Sequence, residues 1–189
     1  SSDLYLIAGL GNVGAEYANT RHNIGFEVAD MLIHDLKGEV SIEKLASISK
    51  VKFKGRTLVI IKPTTFMNLS GKSVRYWLDK EKIPIKNLLV ILDDIALPMG
   101  SLRMKSKGGD AGHNGLTDII EKLGTNVFPR LRIGVGDNFP RGRQVDYVLG
   151  QWSGAEEKIM LPKIETATSI VKSFVSLGIE RTMGAFNNK

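Results

Sequence analysis

Short apolar runs that end at glycine or at charged residues alternate with longer stretches of helical apolar spacing along most of this chain. The short runs are typical of buried strands, and apolar residues at intervals of three and four indicate helices. The predicted strands are 4–8, 50–53, 57–62, 88–92, 102–105 and 131–135, and the predicted helices are 26–36, 70–78, 113–123 and 153 to about 177. This alternation predicts an α/β fold. We expect a single domain over residues 1–189, a three-layer sandwich in which helices flank a twisted, mixed and mostly parallel β-sheet.

Local signals mark the ends of several of these elements. Gly124 is placed to end the helix 113–123, and Ser70 is expected to cap the helix that follows it. Ser153 and Glu156 have the spacing of a capping box, in which each side chain accepts a backbone N–H of the other residue. Pro162 predicts a kink or the start of a new helix.

The composition is that of a soluble globular protein, since 42% of the 189 residues are hydrophobic and 24% are charged. We find neither an apolar run long enough for a membrane span nor a charged-then-apolar leader, so we predict no membrane association and no secretion. Ser1 and Ser2 stand where an initiator Met is expected, and we interpret them as residues added during cloning. Cysteine is absent, which excludes disulfides and thiolate chemistry and favours a cytoplasmic location.

A glycine-rich segment follows the first predicted strand. The run G-L-G-N-V-G at 9–14 has the G-x-G-x-x-G spacing of dinucleotide-binding loops. No helix is predicted directly after it, and Asp30, the candidate ribose-binding acid, lies inside a predicted helix. We therefore favour a tight glycine turn over nicotinamide binding. Asn12, within this turn, can point its amide into a cleft at the strand end, where α/β folds bind ligands.

The histidines and carboxylates indicate general-base chemistry. His34 lies within a predicted helix and is expected to be solvated, whereas His22 lies between a predicted strand and a predicted helix, and His113 lies at the start of a predicted helix. Asp93 and Asp94 close the strongest predicted strand, and carboxylates at such a strand end face the usual α/β cleft. A histidine backed by a carboxylate is a suitable general base. The alternative for each of these side chains is solvation or local hydrogen bonding.

Other kinds of nucleophile are missing from the sequence. There is no cysteine and no G-x-S-x-G segment that would present a serine. No H-E-x-x-H spacing occurs, so a metal site made of two histidines and one aspartate is a weaker alternative. A hydrolase with these residues would use activated water.

The basic residues offer candidate phosphate contacts. The net charge is +6, and a basic surface attracts phosphates, although many basic proteins bind no nucleic acid. Lys105 opens the segment K-S-K-G-G before a predicted helix, which is a candidate phosphate seat. Arg130 and Arg132 alternate along a predicted strand and therefore share one face. Asn68 is a neutral donor and acceptor that can hold a carbonyl or a water.

Five ordered motifs together resemble the bacterial peptidyl-tRNA hydrolase family. They are G-L-G-N-V-G at 9–14, T-R-H-N-I-G-F at 20–26, K-P-T-T-F-M-N-L-S-G at 62–71, G-H-N-G-L at 112–116 and R-L-R-I-G-V-G at 130–136. The resemblance covers nearly the whole chain and implies hydrolysis of the ester between the peptide and the terminal ribose of peptidyl-tRNA. It also implies a monomer that needs no cofactor, metal or protein partner.

The same resemblance implies roles for single residues. His22 corresponds to the base that activates water, and Asp94 is taken as its partner because it stands four residues before Pro98 in D-x-x-L-P-x-G. His113 has a supporting role. The residues implied to hold the substrate's carbonyls, ribose, peptide or terminal adenosine are Asn12, Tyr17, Phe66, Asn68 and Asn114, and those implied to clamp tRNA phosphate are Lys105 and Arg132.

Two other functions remain open at this point. A non-catalytic RNA-binding module could use the same basic face, but such modules favour an aromatic stacking platform, and aromatic residues here are 7% and scattered. A nucleotide-dependent oxidoreductase would require the glycine-rich segment to bind a cofactor. Cleavage of a peptidyl-tRNA ester separates the hydrolase from both.

Overall fold

The computed structural model describes residues 3–187, so Ser1 and Ser2, interpreted above as added residues, lie outside the described part. The strands are β1 (Leu4–Gly9), β2 (Ser41–Glu43), β3 (Ala46–Phe53), β4 (Arg56–Pro63), β5 (Leu88–Asp94), β6 (Leu102–Lys105) and β7 (Arg130–Gly134). The α-helices are α1 (Ile24–Asp35), α2 (Ser70–Glu81), α3 (Asn114–Leu123), α4 (Gln144–Val148), α5 (Gly154–Leu177) and α6 (Ile179–Phe186). None of the helices in this part of the chain has the length and apolar character needed to cross a membrane.

The α/β prediction is confirmed by a mixed sheet with the strand order β2-β3-β4-β1-β5-β7-β6. The four central strands, β4, β1, β5 and β7, are parallel neighbours, whereas β2 and β3 on one side and β6 on the other add antiparallel pairs. All predicted strands and helices are present; β6 has the predicted bounds, and at least one end of each of the others is shifted. The sequence analysis did not predict β2, α4 or α6.

The predictions for the ends of helices are confirmed in some cases and wrong in others. The capping box of Ser153 and Glu156 is present at the start of α5, and Gly124 ends α3 in a left-handed conformation. The prediction that Ser70 caps a helix is wrong, because its hydroxyl donates to the Met67 carbonyl at 2.7 Å. Helix α5 continues through Pro162, so no new helix begins there.

The side chains of β5 alternate between two hydrophobic cores. Leu89 and Ile91 belong to the core beneath α1 and α5, whereas Val90 and Leu92 belong to the core beneath α2 and α3. Because alternation continues to the strand end, Asp93 follows the α1 side and Asp94 the opposite side. Because of this alternation, the carboxylates of Asp93 and Asp94 contact different partners.

Two glycines let α1 start directly against the sheet. A Cβ on Gly9 would lie 2.3 Å from the Gly25 carbonyl oxygen, and a Cβ on Gly25 would lie 2.5 Å from the Ile91 carbonyl oxygen. Neither distance leaves room for any side chain. The glycine-rich loop is followed by a short 3₁₀ turn at 15–17 and not by an α-helix, so the first glycine serves this close approach and not a helix-bound pyrophosphate.

Candidate active site

A cleft of about 550 Å³ lies at the C-terminal end of β5. Its floor contains Leu92, Asp93 and Asp94. The rest of the lining comes from His22 before α1, from residues 109–114 before and at the start of α3, and from Ile95, Leu116 and Arg132. Three residues of α4 also contribute, which are Gln144, Val145 and Val148. The cleft therefore lies where α/β folds usually bind ligands.

His22 is held by the carboxylate of Asp93. It lies in the 3₁₀ turn at 21–23, directly before α1, and is 9% exposed. Its Nδ1 is 2.9 Å from both carboxylate oxygens of Asp93, which is itself 3% exposed. The close packing of Gly25 against β5 brings the two side chains together.

The prediction that Asp94 is the partner of His22 is wrong. Asp94 instead forms a salt bridge with Arg132 of β7, with Nε 2.5 Å from Oδ2, and also accepts the N–H of Ala96 at 2.8 Å. Side-chain alternation is the physical reason. Asp93 faces the side on which α1 packs, whereas Asp94 shares its side with Arg132, whose backbone neighbour on β5 is Leu92.

His113 completes the cluster and has a defined tautomer. Its Nδ1 accepts the backbone N–H of Leu116 at 3.2 Å, as the N-cap of α3. The proton of the neutral ring must therefore be on Nε2, which donates to Asp93 Oδ1 at 2.9 Å. With the Asp93 anion accepting from both rings, His22 carries its proton on Nδ1 and keeps a lone pair on Nε2.

Asp93 is charged despite its burial. Burial alone would raise the pKa of this carboxyl, but the charges and hydrogen bonds of His113 and His22 outweigh it and hold the pKa well below its ordinary value. The site therefore holds one buried anion between two imidazoles whose ring centroids are 4.8 Å apart.

The donor set of this cluster suits protons better than a metal ion. One ligand atom each from His22, Asp93 and His113 lies within 4.8 Å of the others. A metal on Nε2 of a neutral His113 would require a proton on Nδ1, directed at the N–H of Leu116. Metal binding would thus cost the N-cap of α3, which argues against the two-histidine metal alternative.

Asn12 joins three of the motifs. Its Oδ1 accepts the Met67 N–H at 2.8 Å, while its backbone N–H donates to Asn23 Oδ1 at 2.7 Å and its carbonyl accepts from Asn23 Nδ2 at 2.9 Å. Asn23 was not singled out from the sequence, although it directly follows His22. The acceptor of the Asn12 amide is thus in use, and its Nδ2 is directed to no other hydrogen-bond acceptor among residues 3–187.

The other predicted substrate-binding residues differ in exposure, and the lining of the cleft includes Asn114 but not Asn68, Phe66 or Tyr17. Asn114 lines the cleft, and Asn68 is exposed in the 3₁₀ turn at 67–69. Phe66 is 63% exposed, and Tyr17 is half-buried. A Cβ on Gly115 would lie 2.7 Å from Met67 Sδ, so this glycine allows the 62–71 motif to pack against the start of α3.

The predicted phosphate clamp borders a second depression next to the cleft. It is lined by Lys105, Arg130 and Arg132 together with residues 108, 109 and 111. Lys105 is exposed, whereas Arg130 is 1% exposed and donates to the carbonyls of Gly108 at 2.7 Å and Asn126 at 2.5 Å. Burial, followed by the charge of Arg132, lowers the pKa of Arg130 to about 10. Arg130 thus shapes the glycine loop from below.

Comparison with known proteins gives one consistent result. The family model described as peptidyl-tRNA hydrolase matches residues 6–189. A peptidyl-tRNA hydrolase from Parabacteroides distasonis is 52% identical over 185 residues, which cover 98% of this chain and 99% of the relative. A crystal structure of peptidyl-tRNA hydrolase from Acinetobacter baumannii has a TM-score of 0.92 at 34% identity, with coverage of 98% of this chain and 95% of that chain. The chain therefore belongs to the peptidyl-tRNA hydrolase family.

Proposed function

We propose that this chain hydrolyses the ester bond between the peptide and the terminal ribose of peptidyl-tRNA, and so recycles tRNA released prematurely from ribosomes. The observation that carries the proposal is the His22–Asp93–His113 cluster, which lines a cleft beside a basic depression. A carboxylate-oriented imidazole with a free Nε2 can activate water, and cationic side chains nearby can hold phosphate.

The chemistry uses His22 as the general base. Its Nε2 removes a proton from water while the water oxygen adds to the ester carbonyl and forms a tetrahedral oxyanion. When the oxyanion collapses, the bond to the ribose oxygen breaks, and the imidazolium returns the proton to that oxygen. Asp93 stabilises the imidazolium throughout, and His113 keeps Asp93 in place by donating from Nε2.

Hydrogen-bond donors around the cleft would stabilise the oxyanion and position the substrate. Asn114 and Asn68 carry neutral amides that can hold the attacking water, the carbonyl or the terminal ribose. Phe66 and Tyr17 offer aromatic surface to the peptide or to the terminal adenosine.

Asn12 can distinguish blocked from unblocked substrates. Its Oδ1 is held by the N–H of Met67, which leaves both hydrogens of Nδ2 to donate to a substrate. A peptide carbonyl accepts from this donor, whereas the ammonium of an ordinary aminoacyl-tRNA has donors alone and would oppose it. A polar site matched in this way rejects a substrate that lacks the partner group.

Lys105 and Arg132 are proposed to contact tRNA phosphate. Both border the depression next to the cleft, so a phosphate there would place the acceptor end near His22. We further propose that the protein acts in the cytoplasm as a single-domain monomer, without a cofactor, a metal or an obligate protein partner.

The test is turnover of N-acetyl-aminoacyl-tRNA, followed as release of free tRNA beside the unblocked aminoacyl-tRNA. We expect cleavage of the blocked substrate, and loss of about 10²–10⁴-fold in kcat for His22→Ala because the general base is removed. His34→Ala is the matched control, since His34 is exposed on α1. Tight binding that protects the ester would instead support an RNA-binding module, and a His22→Ala variant with normal kcat would exclude His22 as the base.

A further inference from the structure

Arg21, which directly precedes His22, extends away from the cluster toward α4 and α5. Its Nη1 donates to the Tyr147 carbonyl at 3.0 Å, and its Nη2 donates to Glu156 Oε1 at 2.8 Å. The guanidinium carbon lies 4.2 Å from the centroid of the Tyr147 ring. The side chain is 13% exposed, so these contacts are largely screened from water.

The backbone beside Arg21 is fastened to the same region. The Arg21 N–H donates to the Gly150 carbonyl at 3.0 Å, and Thr20 forms an isolated bridge with Gln151. A Cβ on Gly150 would lie 2.7 Å from Nη1 of Arg21, so the guanidinium fills the space next to this glycine. The histidine-bearing segment and residues 147–151 are therefore one packed unit.

Both acceptors of the guanidinium are themselves fixed. Glu156 accepts the N–H of Ser153 at 2.8 Å in the capping box of α5. Burial tends to raise the pKa of Glu156, but the Ser153 N–H and Arg21 outweigh it and lower the pKa. The Tyr147 hydroxyl donates to the Val135 carbonyl at 2.5 Å, and the Val135 N–H donates to the Asp94 carbonyl at 3.1 Å. The network thus begins beside His22 and returns to the end of β5.

Helix α4 depends on these contacts. It has five residues, fewer than an isolated helix needs to be stable in water, and it packs against the 3₁₀ turn at 21–23. Three of its residues line the cleft opposite the histidines, and two of these, Val145 and Val148, are apolar. The position of this wall relative to His22 is set largely by the contacts of Arg21.

We propose that Arg21 is a positioning residue that holds the α4 wall against the His22 segment, so that the wall and the base form one substrate pocket. This inference rests on the proposed function. Without the guanidinium, α4 would sample positions in which Val145 and Val148 no longer contact the substrate next to the scissile ester. The hydrogen bonds of His22 to Asp93 do not involve Arg21, so the chemistry itself would be retained.

The test combines kinetics with hydrogen exchange in the full chain. Arg21→Gln should raise KM for N-acetyl-aminoacyl-tRNA by about tenfold, with a smaller fall in kcat and an unchanged acid limb of the pH profile, because binding and not proton transfer is impaired. The amide protons of residues 147–152 should exchange at least about tenfold faster than in the wild type, and those of α3 should not.

Two variants and one control make the result specific. Arg21→Lys keeps the positive charge but loses the paired hydrogen bonds of the guanidinium and its stacking on Tyr147. It should therefore retain only part of the wild-type KM and of the wild-type protection from exchange. Glu156→Gln should also speed the exchange of residues 147–152, by a smaller factor than Arg21→Gln. It serves as the test variant if Arg21→Gln does not fold. Lys172→Gln is the control, since Lys172 pairs with Asp35 at 3.7 Å and joins α5 to α1 through residues that do not line the cleft.

Each outcome decides the proposal. Unchanged exchange at 147–152 in Arg21→Gln, or equal effects in Lys172→Gln, would overturn it. A loss of kcat with a shifted acid limb would show that Arg21 acts on the base and would also overturn it. If the wild type does not cleave the ester, the proposed function fails, whereas the exchange experiment still reports whether Arg21 holds α4.

Discussion

Replacing Asp93 by asparagine tests the cluster most directly, because an amide cannot satisfy both imidazoles as donors. The Asp93 carboxylate accepts from His113 Nε2 through Oδ1 and from His22 Nδ1 through both oxygens. The amide of an asparagine has one acceptor oxygen and one NH₂ donor. Leu116 fixes His113 as a donor at Nε2, so the amide oxygen should remain with His113.

The NH₂ group then faces Nδ1 of His22 and forces the wrong tautomer. Nδ1 must become an acceptor, the ring proton moves to Nε2, and the lone pair needed to activate water is lost. Loss of general-base catalysis costs about 10²–10⁴-fold in rate. This corresponds to about 2.7–5.4 kcal/mol of the activation barrier at 1.36 kcal/mol per factor of ten. We expect kcat to fall within this range.

Asp94→Asn is the matched comparison, since it makes the same chemical change one residue away. It removes the salt bridge to Arg132 and leaves the contacts of His22 intact. We expect kcat to change by less than about tenfold, because the interaction lost is not made to the reacting groups.

The assay measures kcat and KM of both variants with one N-acetyl-aminoacyl-tRNA across pH, and thermal unfolding checks that both are folded. An added imidazole tests the tautomer argument, since an external base should restore part of the activity of Asp93→Asn. A larger kcat loss from Asp94→Asn than from Asp93→Asn would refute the assignment of the two carboxylates.

Two further predictions concern the basic depression and a buried glutamate. Lys105→Ala should raise KM for intact tRNA substrates and lower the salt dependence of binding by about one phosphate contact, whereas Lys86→Ala, an exposed lysine at the opposite end of β5, should do neither. Equal effects on a short substrate without the tRNA body would contradict a phosphate contact. Burial raises the pKa of Glu27 to about 7 against the lowering effect of its Trp152 hydrogen bond, so its folded pKa lies above its unfolded one. Its contribution to stability is therefore lost as pH rises through about 7, and Glu27→Gln should stabilise the fold at pH 8 by about 1–2 kcal/mol and much less at pH 5, as measured by thermal unfolding. An equal gain at both pH values would show that the charge of Glu27 is not the cause.

The regular elements could be predicted from the sequence because their signals are local and long. The apolar runs of β1, β4 and β5 are continuous, and α3 is bounded by an N-cap and by Gly124. Strand β2 and helix α4 could not be predicted, because three and five residues carry too little periodicity to be recognised. Their stability comes from tertiary contacts, which are not visible in the sequence.

The choice between Asp93 and Asp94 shows the limit of motif spacing. The sequence indicates that adjacent strand residues face opposite sides, and this is confirmed. It does not indicate on which side of the sheet the helix after His22 packs. That side is determined by the approach of Gly25 to β1 and β5, a contact between segments far apart in the chain. The number of residues between Asp94 and Pro98 carries no information about this contact. The spacing therefore selected Asp94, whereas the partner of His22 is Asp93.

A similar limit applies to the arginines of β7, and it changes what each cation can contribute. The prediction that Arg130 and Arg132 share one face says nothing of their partners. Arg132 is paired with Asp94, so its charge is largely offset before any phosphate arrives, and Arg130 is committed to backbone carbonyls. Lys105 is exposed and has no carboxylate partner among residues 3–187. A cation without a carboxylate partner attracts a phosphate with its full charge. A cation that is already paired must first give up its carboxylate before it can bind the phosphate. The salt dependence of binding should therefore fall more in Lys105→Ala than in Arg132→Ala, and the reverse order would mean that Asp94 releases Arg132 when tRNA binds.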